Sequence, residues 1–78
     1  MYSVYVIKSR CRNYIYVGLS GNVRVRISQH NNKQNKTTKP YAPFDILLIE
    51  EYSSRIEARV REKYLKSGIG KEFLKTLL

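Results

Sequence analysis

Arg26 and His30 stand four residues apart within VGLSGNVRVRISQH, residues 17–30. Read by twos, Val23, Val25 and Ile27 alternate with Arg24, Arg26 and Ser28, as in a strand with one wet face. Read by helical period, Val23, Arg26, Ile27 and His30 fall at i, i+3, i+4 and i+7, on one face of a helix. Asn22 follows Gly21 and can cap such a helix by accepting from a backbone amide of its first turn. The helical reading, about Val23 to Asn31, is therefore preferred. It places a guanidinium and an imidazole on the stripe that should be buried, where an unpartnered charge is costly. Two tyrosines in strand-like runs, Tyr5 and Tyr16, and one carboxylate, Glu62, complete a set suited to proton transfer and anion binding. Glu62 has Ala58 at i−4 and Leu65 at i+3, so it shares a partly apolar helical stripe.

The elements that must position these side chains follow from local pattern. YSVYVIK at 2–8 is rich in tyrosine and β-branched residues and predicts a strand. RCRN is a turn, and YIYVGLS at 14–20 predicts a second strand, paired antiparallel through the short connection. Gly18 implies a bulge or a close backbone approach. Residues 31–43, NNKQNKTTKPYAP, predict a long exposed basic loop. FDILLIEEY at 44–52 predicts a third strand. Ser54 to Glu57 has the form of a capping box opening a helix that runs to about Lys66 and ends at Ser67-Gly68. GKEFLKTLL at 70–78 predicts a short last helix. The order is β-β-α-β-α-α: an α+β fold with a small three-stranded antiparallel sheet flanked by helices, one domain over residues 1–78.

Composition narrows the partners. The 78 residues hold 15 Lys+Arg against 6 Asp+Glu, a formal charge of +9 at pH 7. Such a balance favours a polyanion, and nucleic acid first, through steering and counterion release. No apolar run approaches the roughly 18 residues of a bilayer span, and no segment pairs a basic face with a strongly apolar one. The N-terminal stretch lacks a secretory layout. Cys11 is the single cysteine, so no internal disulfide forms, in keeping with a reducing, cytoplasmic setting. One His and one Cys cannot build a zinc site.

As an ordered set these residues resemble the GIY-YIG nuclease superfamily. SVY at 3–5 resembles the first signature tripeptide, with Ser3 in place of glycine, and YVG at 16–18 resembles the second. The spacing between the two tyrosines, GLSGNVRVRISQH, TKPYAPFDILLIEEY and EARVREKYLKSGIGKEFL are similar to the family's successive segments. Short single-domain bacterial members, related to the nuclease domain of the excision-repair subunit that makes the 3′ incision, are the nearest in kind. The family's asparagine near the end of the domain has no counterpart, since no Asn follows Asn35.

The resemblance implies a divalent-metal-dependent endonuclease hydrolysing phosphodiester bonds, of DNA in the first place. It implies Tyr5, Tyr16, Arg26, His30 and Glu62 as catalytic residues, and Glu62 as the ligand of a single ion. One carboxylate completed by waters and phosphate oxygens suits Mg²⁺ or Mn²⁺. Arg26 would face inward because it grips a phosphate, for which guanidinium geometry is suited. Tyr5 would accept the proton of the attacking water with Tyr16 positioning, or the two roles exchanged, and His30 would relay the proton or hold a tyrosine. A tyrosine is a poor base at neutral pH unless nearby positive charge lowers its pKa, and Arg26, His30 and the ion are the expected sources. Arg24, Arg26, Lys33, Lys36 and Lys39 are the expected nucleic-acid contacts. Specificity would come from nucleic-acid structure or a protein partner; repair is one setting among several.

Plainer roles stand beside these. Tyr5 and Tyr16 can be ordinary sheet residues, Arg26 can snorkel, His30 can be a C-terminal cation favoured by the helix dipole, and Glu62 can pair with Lys66 at i+4. The rival function is a non-catalytic basic nucleic-acid-binding module of the same fold. Binding alone does not call for Glu62, since a bare negative charge in a phosphate cleft opposes it.

Overall fold

The computed structural model covers residues 1–78. Strands β1 (Tyr2–Ser9) and β2 (Ile15–Ser20) form a hairpin, α1 (Val23–Asn31) follows, a single 3₁₀ turn spans Lys39–Tyr41, and β3 (Phe44–Tyr52), α2 (Arg55–Lys66) and α3 (Gly68–Lys75) complete the chain. The sheet order is β2-β1-β3, antiparallel throughout. The α+β class and the β-β-α-β-α-α order expected from the sequence are both present.

The period-two alternation of β1 divides the molecule into two cores. Val4 and Val6 point to one face and pack with Val17, Ala58, Leu65 and Leu74 under α2 and α3. Tyr5 and Ile7 point to the other and pack with Ile27 of α1, Ala42 and Phe44. A three-layer arrangement results, with β1 buried on both faces and paired on both edges. Arg61 of α2 donates through Nε and Nη2 to both carboxylate oxygens of Glu50 on β3, at 2.8 and 3.2 Å. The Arg61 guanidinium holds the Glu50 pKa below its ordinary value.

The caps read from the sequence are in place. Asn22 Oδ1 accepts from the Val25 amide at 3.4 Å. Ser54 Oγ accepts from the Glu57 amide at 3.2 Å and donates to the Glu57 carboxylate at 3.3 Å, instead of leaving that carboxylate to reach the Ser54 amide. The last helix differs from expectation. It begins at Gly68, not residue 70, because Ser67 ends α2 and also caps α3, accepting from the Gly70 amide at 3.2 Å. Gly70 is required at this corner, since a Cβ there would collide with the backbone of Tyr64 and Leu65.

Candidate active site

Tyr5 sits on the central strand, opposite Gly18 of β2. Its ring lies over Gly18 so closely that a Cβ on that residue would overlap the phenol. The bulge or close backbone approach expected at Gly18 is absent, since the β1–β2 register runs unbroken there; what approaches is the Tyr5 side chain. Across the α1 side of the sheet, Tyr5 Oη and His30 Nε2 share a hydrogen bond of 2.9 Å. His30 Nδ1 and Thr38 Oγ1 share another of 2.7 Å. All three residues are buried, His30 and Thr38 completely. Tyr16 closes a triangle of rings, with centroids 6.2 Å from Tyr5 and 4.9 Å from His30.

Electrostatics assign states to this chain of hydroxyl, imidazole and hydroxyl. Burial, reinforced by the Arg26 charge, lowers the His30 pKa. A ring held neutral in this way has one donor and one acceptor nitrogen. With the proton on Nδ1, the ring donates to Thr38 and leaves Nε2 to accept from Tyr5. His30 is therefore not the dipole-stabilised cation of the plainer reading. Burial pushes the Tyr5 phenol up, and the Arg26 guanidinium beside it pulls down without prevailing. Of the sources of positive charge expected to lower the Tyr5 pKa, Arg26 acts in that direction but is outweighed by desolvation, and neutral His30 adds none.

Arg26 is half-buried on α1 and donates through Nη1 to Gln29 Oε1 at 3.2 Å. Glu62 comes from the opposite layer, on α2 beside Ala58 and Leu65. Its side chain is 8 % exposed, and it accepts from Arg59 Nη1 on Oε1 and from Lys66 Nζ on Oε2, each at 3.2 Å. Its charge still reaches the Tyr5 phenol, as the weakest of the influences there.

The other expected contacts lie apart. Arg24 is exposed and borders a depression with Ile46, Ile49 and Glu51 on the β3 side of α1. Lys33, Lys36 and Lys39 are exposed on the segment after α1, and Lys33 closes the helix in the left-handed region, at φ 61°. Thr38 is the member of that segment that reaches the buried cluster. Sequence reasoning did not single it out, although it lies in the TKP stretch that carried part of the resemblance. Arg59 as a second partner of Glu62, and Gln29 as the partner of Arg26, carried no signal beyond helical spacing.

A three-stranded antiparallel sheet between helical layers, with paired tyrosines and a helix-borne Arg–His pair on one face, defines the class as a small α+β domain. The chain belongs to the GIY-YIG family: the family model described as the GIY-YIG catalytic domain matches residues 1–73. It is 36 % identical over 75 residues to a UPF0213 protein of Staphylococcus haemolyticus, covering 95 % of this chain and 90 % of that one. A UPF0213 protein of Staphylococcus epidermidis is 32 % identical over the same coverage. The solution NMR structure of a UPF0213 protein from Bacillus halodurans superposes with a TM-score of 0.59 at 30 % identity, over 99 % of this chain and 85 % of that one.

Proposed function

We propose that this protein is an endonuclease that hydrolyses phosphodiester bonds in DNA with the help of one divalent ion. The observation that carries the reading is the buried Tyr5–His30–Thr38 hydrogen-bond chain beside Arg26. A buried imidazole kept neutral, with one nitrogen on a phenol, is arranged to receive a proton. Tyr5 alone is a poor base near neutral pH, because its raised pKa keeps the phenol protonated. His30 gives it an outlet: Tyr5 Oη takes the proton of the attacking water as its own passes to His30 Nε2, against the burial and the Arg26 charge that disfavour the imidazolium and with the incoming phosphate charge in its favour. The other ring proton stays on Nδ1, donated to Thr38 Oγ1, and fixes the ring. Tyr16 orients the water. Arg26 offsets the charge that builds on the phosphate, an interaction worth most in a water-poor site.

Glu62 is the residue that would hold the ion, Mg²⁺ or Mn²⁺. A carboxylate offers about four lone-pair directions; Arg59 and Lys66 each take one, so an ion at Glu62 would draw on the remaining two and be completed by water and phosphate oxygens. When bound, the ion supplies Lewis-acid polarisation of the phosphate and stabilises the leaving 3′ oxygen. The exposed free thiol of Cys11 supports a cytoplasmic setting. No helix is long and apolar enough to cross a membrane.

One observation favours the binding-module alternative: both oxygens of Glu62 already have cationic partners, as in a purely structural ion-pair triad. Nicking of a supercoiled plasmid and of a branched DNA separates the two, with Mg²⁺, Mn²⁺ or EDTA and with Glu62→Ala and Arg26→Ala beside the wild type. Metal-dependent nicking, lost in both variants, is expected. Absence of cleavage, with DNA binding indifferent to EDTA and to Glu62→Ala, overturns the enzyme reading in favour of the module.

A further inference from the structure

A second surface meets the candidate site at Tyr16. Between the free edge of β2 and the α2–α3 corner lies a groove of about 310 Å³. Its floor is apolar, made by Ile15, Leu65 and Leu74, and Lys66, Lys71 and Lys75 line it as well. Lys71 pairs with no carboxylate, and Lys75 pairs only with Glu72 at 3.4 Å on the exposed face of α3. Lys66 stands at the junction, since its Nζ also donates to Glu62. Tyr16 thus lines the groove, and Glu62 is linked to it through Lys66. It lies on the α2–α3 side, away from the Arg24 depression and from the Lys33–Lys39 segment.

We infer that this groove takes the sugar-phosphate backbone of the nucleic-acid strand next to the scissile phosphate, with Lys71 and Lys75 on its phosphates and the apolar floor against its sugars. The inference rests on the nucleic-acid reading above and adds a contact surface to it. Charge complementarity selects the occupant: a row of lysines over an apolar floor suits a chain that alternates anionic phosphate with a less polar sugar. Gly70 gives the row a fixed geometry, because it locks the start of α3 onto the end of α2 without an intervening side chain.

The test is fluorescence anisotropy of a labelled single-stranded oligonucleotide, titrated in EDTA across a salt series. Each lost phosphate contact on a single strand makes the negative slope of log K against log salt shallower by about 0.7. Lys71→Ala/Lys75→Ala is expected to bind several-fold more weakly at low salt, with a slope shallower by about 1.4. Arg55→Ala/Lys63→Ala removes the same charge from the outer face of α2 and is expected to keep the wild-type slope. Equal slopes in the two double variants overturn the groove while leaving the nucleic-acid reading intact. A wild type that does not bind the oligonucleotide at low salt overturns that reading and the groove with it.

Discussion

Tyr5 and His30 owe their contact to a side chain that is missing. Gly18 leaves the space that the phenol fills, so Gly18→Ala should push the ring off His30. We expect a cost of about 1–3 kcal/mol from overpacking and a loss of nicking greater than unfolding explains, read by thermal melts and plasmid assays together. The imidazole makes a second prediction. Its folded-state pKa lies below the ordinary 6.5, so between the two values the unfolded chain binds the extra proton. The stability tied to neutral His30 is complete above the unfolded pKa and is lost as pH falls through the folded one. Melting temperatures from pH 8 to pH 5 should therefore fall more steeply for wild type than for His30→Gln. A parallel pair of curves would show that the buried ring does not titrate differently on folding. The types and spacing of Tyr5, Tyr16, Arg26, His30 and Glu62 were legible in the sequence. The state of Tyr5 was not, because desolvation depends on how many layers cover a residue, which no local pattern encodes.

Among the elements, α1 bears the most consequence, since it carries both Arg26 and His30 and is only nine residues long. Its start rests on a long cap bond from the Val25 amide to Asn22. Asn22→Ala should cost about 0.5–1 kcal/mol, the low end for a cap, and should reduce nicking at temperatures where the fold is still intact, as measured by activity and helix signal on one thermal ramp. The helix was readable because its apolar and charged positions repeat at i, i+3, i+4 and i+7 although its valines disfavour helix. The strands were readable to within a residue from tyrosine and β-branched content. The start of α3 was not, because Ser67 serves two helices at once. A terminator and an initiator then look alike in sequence. Thr38 was hidden for a related reason: a loop threonine is polar in any list, and only the fold buries it beneath α1.

Across the whole molecule the charge of +9 is spread over both helical layers, while Tyr5, Tyr16 and His30 are gathered around one strand. β1 is the sole strand with a partner on each side. Its amides should exchange with deuterated solvent only through global unfolding, whereas those of residues 32–37, which carry Lys33 and Lys36 ahead of buried Thr38, should exchange through local opening. Hydrogen-exchange mass spectrometry reads both, and β1 exchange faster than global unfolding allows would contradict the assignment. The order β2-β1-β3 thus puts Tyr5 on the strand expected to open last, and leaves Lys33 and Lys36 on a stretch expected to open well before it.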